Sequence, residues 1–102
     1  MIRVLTLLAI MAALAAAQTG PATATLTYLG QASFLMTTST GLKVLIDPVN
    51  PAMIKGAPVD GADLVVVTHE HPDHNYVELA TGNPTVIRGL VGGDFAKVDQ
   101  TV

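Results

Sequence analysis

The stretch Thr68-His69-Glu70-His71-Pro72-Asp73-His74-Asn75 holds all three histidines of a 102-residue chain. Neutral imidazole nitrogens and a carboxylate in such proximity are donors suited to a nitrogen- and oxygen-ligated metal centre. Side chains two apart in an extended segment point the same way, so His69 and His71 can converge on one point. His74 follows His71 by three positions, and in a first helical turn it faces the same pocket with Asp73 beside it. A solvated polar loop capping a helix is the plainer use of a lone histidine. Three of them with an aspartate, directly after an apolar run, favour metal binding instead. The spacing is not that of a helical His-Glu-x-x-His site. Asp73 stands where the second histidine belongs, and Pro72 breaks a helix through the motif.

The elements that must position this cluster are legible on either side of it. Residues 63–68, DLVVVT, are a β-branched run without polar alternation, the pattern of a strand covered on both faces. The histidines follow its carboxyl end, where α/β sheets bind their ligands. Pro72 suits the first turn of a helix, where its missing N–H is harmless, and the spacing predicts a helix over residues 72–80, stopped by Thr81-Gly82-Asn83-Pro84. Upstream, residues 23–30 alternate threonine with larger side chains, and residues 32–48 give two apolar runs separated by a polar turn at 37–41. Together these read as a β-meander. Residues 49–62, rich in proline and glycine, read as a loop, and residues 85–90 as the next strand. The expected class is α/β, a β-meander followed by a β-loop-α unit.

Composition narrows the partners. A formal net charge of -3, a pI near 5.3 and no basic cluster exclude nucleic-acid binding by bulk electrostatics. No cysteine is present, so disulfides and thiolate ligands are excluded. The excess in the 50% hydrophobic content lies largely in the first seventeen residues. There, Arg3, an apolar run over residues 4–17 and small residues at Ala15 and Ala17 read as a secretory signal peptide, residues 1–17, with the mature chain beginning at Gln18. The run is shorter than the roughly 20 residues that span a bilayer, so the expectation is an exported protein, periplasmic or secreted, without a stable membrane anchor. Roughly 85 residues then remain, a length at which one core is only marginally stabilising.

THEHPDHN after its apolar strand resembles the His-x-His-x-Asp-His signature of the metallo-β-lactamase fold superfamily. TYLGQASFLMTTSTGLKVLIDP is similar to the opening strands of its UlaG-like metal-dependent hydrolases, with Gly30, Phe34 and Asp47-Pro48 in the expected style. The resemblance implies a four-layer αββα sandwich, of which residues 18–102 are an incomplete N-terminal part. It implies that His69 and His71 ligate a first metal, and Asp73 and His74 a second. Asp73 also helps to orient the attacking water, and Asp47 stands behind the ligands to orient the motif loop. A turn carboxylate before proline is an equal alternative for Asp47. Zinc, two ions, is the default, with iron or manganese as alternatives. Glu70 is expected to be solvated and Pro72 to start the helix. Tyr28, Tyr76 and Phe95 are expected as core or rim packing, and Arg88 and Lys97 as surface charges.

The resemblance implies metal-dependent hydrolysis, with a small-molecule substrate as partner: an ester, lactone, amide or phosphoester. The family supplies further ligands, two histidines and a bridging aspartate, from later in the chain. Here no histidine follows His74, and Asp94 and Asp99 lack a recognisable ligand context. The expectation is therefore an N-terminal fragment or truncated product with one sheet face lacking its partner layer. The alternative is a truncated, non-catalytic metal-binding or inactive domain. An oligomer that completes the site across an interface is left open by the sequence.

Overall fold

The computed structural model describes residues 20–95, 98, 100 and 101. The leader at residues 1–17, and the side chains of Lys97 and Asp99, lie outside the described residues. A five-stranded mixed sheet runs in the order β1-β2-β3-β4-β5. Strands β1 (Ala24–Gly30), β2 (Ser33–Thr38) and β3 (Lys43–Ile46) form the expected antiparallel meander. Strands β4 (Leu64–Val67) and β5 (Thr85–Arg88) then add in parallel to β3. A small hairpin, β6 (Leu90–Val91) and β7 (Asp94–Phe95), follows.

Side chains alternate across a strand, so register sorts the apolar residues onto two faces. Thr27, Leu35, Leu45, Val65 and Val86 form one row of aligned positions across the sheet. On that face Leu45, Val65 and Val67 are fully buried and gather with Ala62, Leu79 and Ala80. The cover is the β3–β4 connection stitched to the segment before β5. Val59 donates to the Leu79 carbonyl at 2.8 Å, and Thr81 donates to the Val59 carbonyl at 2.9 Å. The rows Leu26–Met36–Val44–Leu64 and Tyr28–Phe34–Ile46–Val66 lie on the other face. Val44 and Leu64 are buried there, but Leu26 and Tyr28 on the outer strand are 58% and 62% exposed.

The predicted helix over residues 72–80 does not form. A tight turn closes His71–His74 through His74 N–H to the His71 carbonyl at 2.8 Å, and a single 3₁₀ turn occupies Val77–Leu79. The reason is competition for backbone groups. Tyr76 N–H donates to the Pro48 carbonyl at 3.0 Å, and the Pro72 carbonyl accepts from Asn50 at 3.0 Å. Two groups that an α-helical ladder needs are thus held by the β3–β4 connection, and Pro72 itself brings no N–H. Among the described residues there is no α-helix, so the fold is a mixed sheet with loop cover, and no helix is long and apolar enough to cross a membrane. Two packing expectations also change. Tyr28 and Phe95 are exposed, Phe95 at 93%, whereas Tyr76 does pack against the core.

The contrast between the buried centre of the sheet and its exposed outer strand makes a direct prediction. Leu45→Ala should lower unfolding free energy by about 3 kcal/mol, the range for emptying a packed leucine site. Leu26→Ala should change it by only about 0.5 kcal/mol, as for a surface position. Urea denaturation of the two variants beside the parent measures both, and equal losses would contradict the described difference in burial.

Candidate metal centre

The carboxyl ends of β3, β4 and β5 meet at one edge of the sheet. Asp47 follows β3 and donates its N–H to the Val66 carbonyl at 2.8 Å, while Gly89 after β5 donates to the Val67 carbonyl at 2.7 Å. The backbone of Thr68 is thereby held between them. Gly89 is required by this approach: a Cβ at that position would lie 2.7 Å from the Thr68 carbonyl oxygen.

Asp47 is the buried polar group of the site, 4% exposed, with a left-handed backbone at φ 45°. Aspartate tolerates that conformation better than most residues. Its Oδ1 accepts the Thr68 N–H at 2.7 Å, and its Oδ2 accepts the Thr68 hydroxyl at 2.7 Å. Oδ2 also lies 3.1 Å from His74 Nδ1. The Thr68 hydroxyl oxygen is in turn 3.0 Å from His69 Nδ1.

The three imidazoles gather around this network. Ring centroids are 4.0 Å apart for His69 and His74, 4.6 Å for His69 and His71, and 6.5 Å for His71 and His74. His74 Nε2 lies 3.4 Å from Asp73 Oδ2. Two ligands about 2.1 Å from a tetrahedral ion sit about 3.4 Å apart, so this pair has the spacing of two donors to one zinc. Imidazole nitrogen and carboxylate oxygen also suit the ion chemically. As the side chains stand, no three His, Asp or Glu groups among the described residues close on a single point. The fit to a metal is thus one of donor type and of the Asp73–His74 pair, with His69 and His71 adjacent.

Glu70 is exposed, as expected of a solvated position, but it is not idle. Its Oε2 accepts from Asn75 Nδ2 at 3.0 Å, and its Oε1 accepts from Arg88. The Asn75 hydrogen bond first, and then the Arg88 guanidinium, hold the Glu70 carboxyl below the usual carboxylate range. Arg88, expected as a simple surface charge, therefore tethers the motif loop to β5. Pro72, expected to start a helix, instead offers its carbonyl to Asn50. Thr68, Asn75, Arg88 and Gly89 are the site residues that sequence reasoning missed. For Thr68 a signal existed, a hydroxyl beside the motif; for Arg88 and Gly89 only strand register reveals the proximity. A cavity of about 70 Å³ between Leu29, Ser33, Val49 and Leu79 is lined by none of the motif residues.

Comparison with known proteins gives a consistent picture. Residues 25–101 match the family described as the beta-lactamase superfamily domain. A metal-dependent hydrolase of Aeropyrum pernix is 44% identical over 66 residues, which cover 60% of this chain and 27% of the relative. A metal-dependent hydrolase of Herpetosiphon aurantiacus is 35% identical over 77 residues, 69% of this chain and 32% of the relative. The chain thus spans under a third of the length of the curated relatives it matches. No solved structure matches it significantly.

Gly89→Ala tests how the site is held. The added methyl must displace the Thr68 carbonyl, so a loss of about 1–3 kcal/mol is expected, as for overpacking. The amide resonances of residues 68–71 should move with it. Gly56→Ala, where the nearest atom is 3.9 Å away, is the control and should leave those resonances in place.

Proposed function

The chain belongs to the beta-lactamase superfamily, and on that premise we propose that it supplies the first ligands of a dinuclear metallohydrolase centre. The observation that carries this reading is the gathering of His69, His71 and His74 at the carboxyl edge of the sheet, with the Asp73 carboxylate 3.4 Å from His74 Nε2. His69 and His71 would hold one ion, and Asp73 and His74 the other. Zinc is the ion proposed, iron and manganese being chemically compatible with the same donors. When bound, such ions supply Lewis acidity, polarising a carbonyl or phosphoryl oxygen and making water more acidic near neutral pH.

The chain's own residues do the positioning. Asp47 and Thr68 orient the rings of His74 and His69 through the hydrogen bonds described, and Glu70 with Arg88 fastens the loop between them. The second oxygen of Asp73 accepts a hydrogen bond from the attacking water and directs it. The substrate class proposed is a small ester, lactone, amide or phosphoester. The named activity of the two relatives supports hydrolysis with a metal. The four-layer sandwich belongs to the same proposal: the face bearing Leu26 and Tyr28 receives a second sheet in the whole protein. So does export, on the reading of residues 1–17 as a leader.

The test uses the full-length product of the natural gene. Metal content is measured together with hydrolysis of a nitrophenyl ester, a lactone and a phosphodiester. Chelation should abolish turnover and zinc restore it, and His69→Ala with His71→Ala should lose both metal and activity. Undiminished activity in metal-free protein would sink the hydrolase reading. Zinc bound without chelator-sensitive turnover of any substrate would leave a metal-binding domain alone.

A further inference from the structure

For neutral imidazoles, the hydrogen bonds around Asp47 leave a single consistent place for the one ring hydrogen on two of the three rings. An aspartate carboxylate only accepts. Its Oδ2 therefore takes a proton from the Thr68 hydroxyl at 2.7 Å and from His74 Nδ1 at 3.1 Å, so His74 carries its hydrogen on Nδ1. A threonine hydroxyl has one hydrogen to give, and it is given to Asp47. Toward His69 Nδ1, at 3.0 Å, the Thr68 oxygen is left only as an acceptor. His69 must then carry its hydrogen on Nδ1 as well.

We propose that Asp47 fixes the Nδ1–H tautomer of two histidines at once, directly at His74 and through the Thr68 hydroxyl at His69, with Thr68 acting as a positioning residue. In the neutral form both rings then present an unprotonated Nε2, that of His74 beside Asp73 Oδ2 at 3.4 Å, the spacing of two donors to one ion. An unconstrained neutral imidazole favours the opposite, Nε2–H tautomer, so the network works against the intrinsic preference and prepares both rings as ligands before any ion arrives. Fixing the tautomer and the ring plane in this way raises metal affinity. His71 makes no ring hydrogen bond among the described residues and serves as an internal reference. The consequence for metal binding rests on the centre proposed above, whereas the tautomers themselves do not.

The experiment is long-range proton–nitrogen correlation NMR on the full chain labelled at histidine, metal-free, at about pH 8, where an ordinary imidazole is neutral. His69 and His74 should report Nδ1–H, and His71 should report Nε2–H. In Thr68→Val, which keeps the backbone donor to Asp47, His69 should revert to Nε2–H while His74 is unchanged. Thr68→Ser should restore the parent pattern. Zinc affinity should fall about 10-fold in Thr68→Val and recover in Thr68→Ser. His69 as Nε2–H in the parent protein overturns the proposal without any variant, and so does Nδ1–H persisting in folded Thr68→Val. Zinc titrated alone into the parent keeps the two readings apart. In the full-length product, correct tautomers with no zinc bound would uphold the relay and remove the metal centre, and zinc bound with His69 as Nε2–H would do the reverse.

Discussion

A single buried carboxylate holds the histidine edge of this sheet together. Asp47 is 4% exposed, and two of its three hydrogen-bond donors come from Thr68, the residue that joins β4 to the motif. Left-handed backbone at a residue other than glycine costs about 1–3 kcal/mol. Hydrogen bonds to a charged group contribute about 1.5–3 kcal/mol each. With three of them in place, the conformation at Asp47 is offset by the contacts it creates, and the turn into Pro48 aims the side chain across the strand ends. No buried side-chain polar atom among the described residues lacks a partner, so the burial of this charge is accounted for.

The loop that carries the three histidines has little regular structure of its own to stiffen it. Its order comes from outside: Asn50 and Pro48 hold its backbone at Pro72 and Tyr76, and Gly89 admits the Thr68 carbonyl. The Glu70–Arg88 pair is an outer tether, and an exposed ion pair contributes about 0–1 kcal/mol. The inner network is therefore the stronger constraint, and the motif's geometry follows the sheet rather than a helix. Loops positioned by a rigid scaffold in this way are where binding chemistry usually sits.

Much of this was legible in the sequence, for identifiable reasons. Threonine alternation and β-branched runs showed the meander and β4, because both patterns depend only on which face of a strand is covered. The gathering of the histidines was legible because all three fall within one short segment after β4. The helix over residues 72–80 was misread because its outcome depended on Pro48 and Asn50, more than 20 residues away, taking part in its backbone hydrogen bonding. Arg88 and Gly89 were invisible for the same kind of reason. Val67 aligns with Arg88 only once β4 and β5 are paired in register.

The central strands connect the fold to the chemistry. Val44, Ile46, Leu64 and Val66 are as apolar on one face as Leu45, Val65 and Val67 are on the other. Strands with this pattern are stable when both faces are covered. Among the described residues the β3–β4 connection and the 3₁₀ segment cover one face, while Leu26 and Tyr28 leave the edge of the other open. The histidines sit at the carboxyl ends of these same strands, at the rim shared by both faces. On the proposed reading, a layer packed over the second face would bring its own loops to that rim. The further donors which that reading calls for and a cover over Leu26 and Tyr28 would then come from one source. The Asp47 network would in that case preset one side of a site whose other side is delivered by packing.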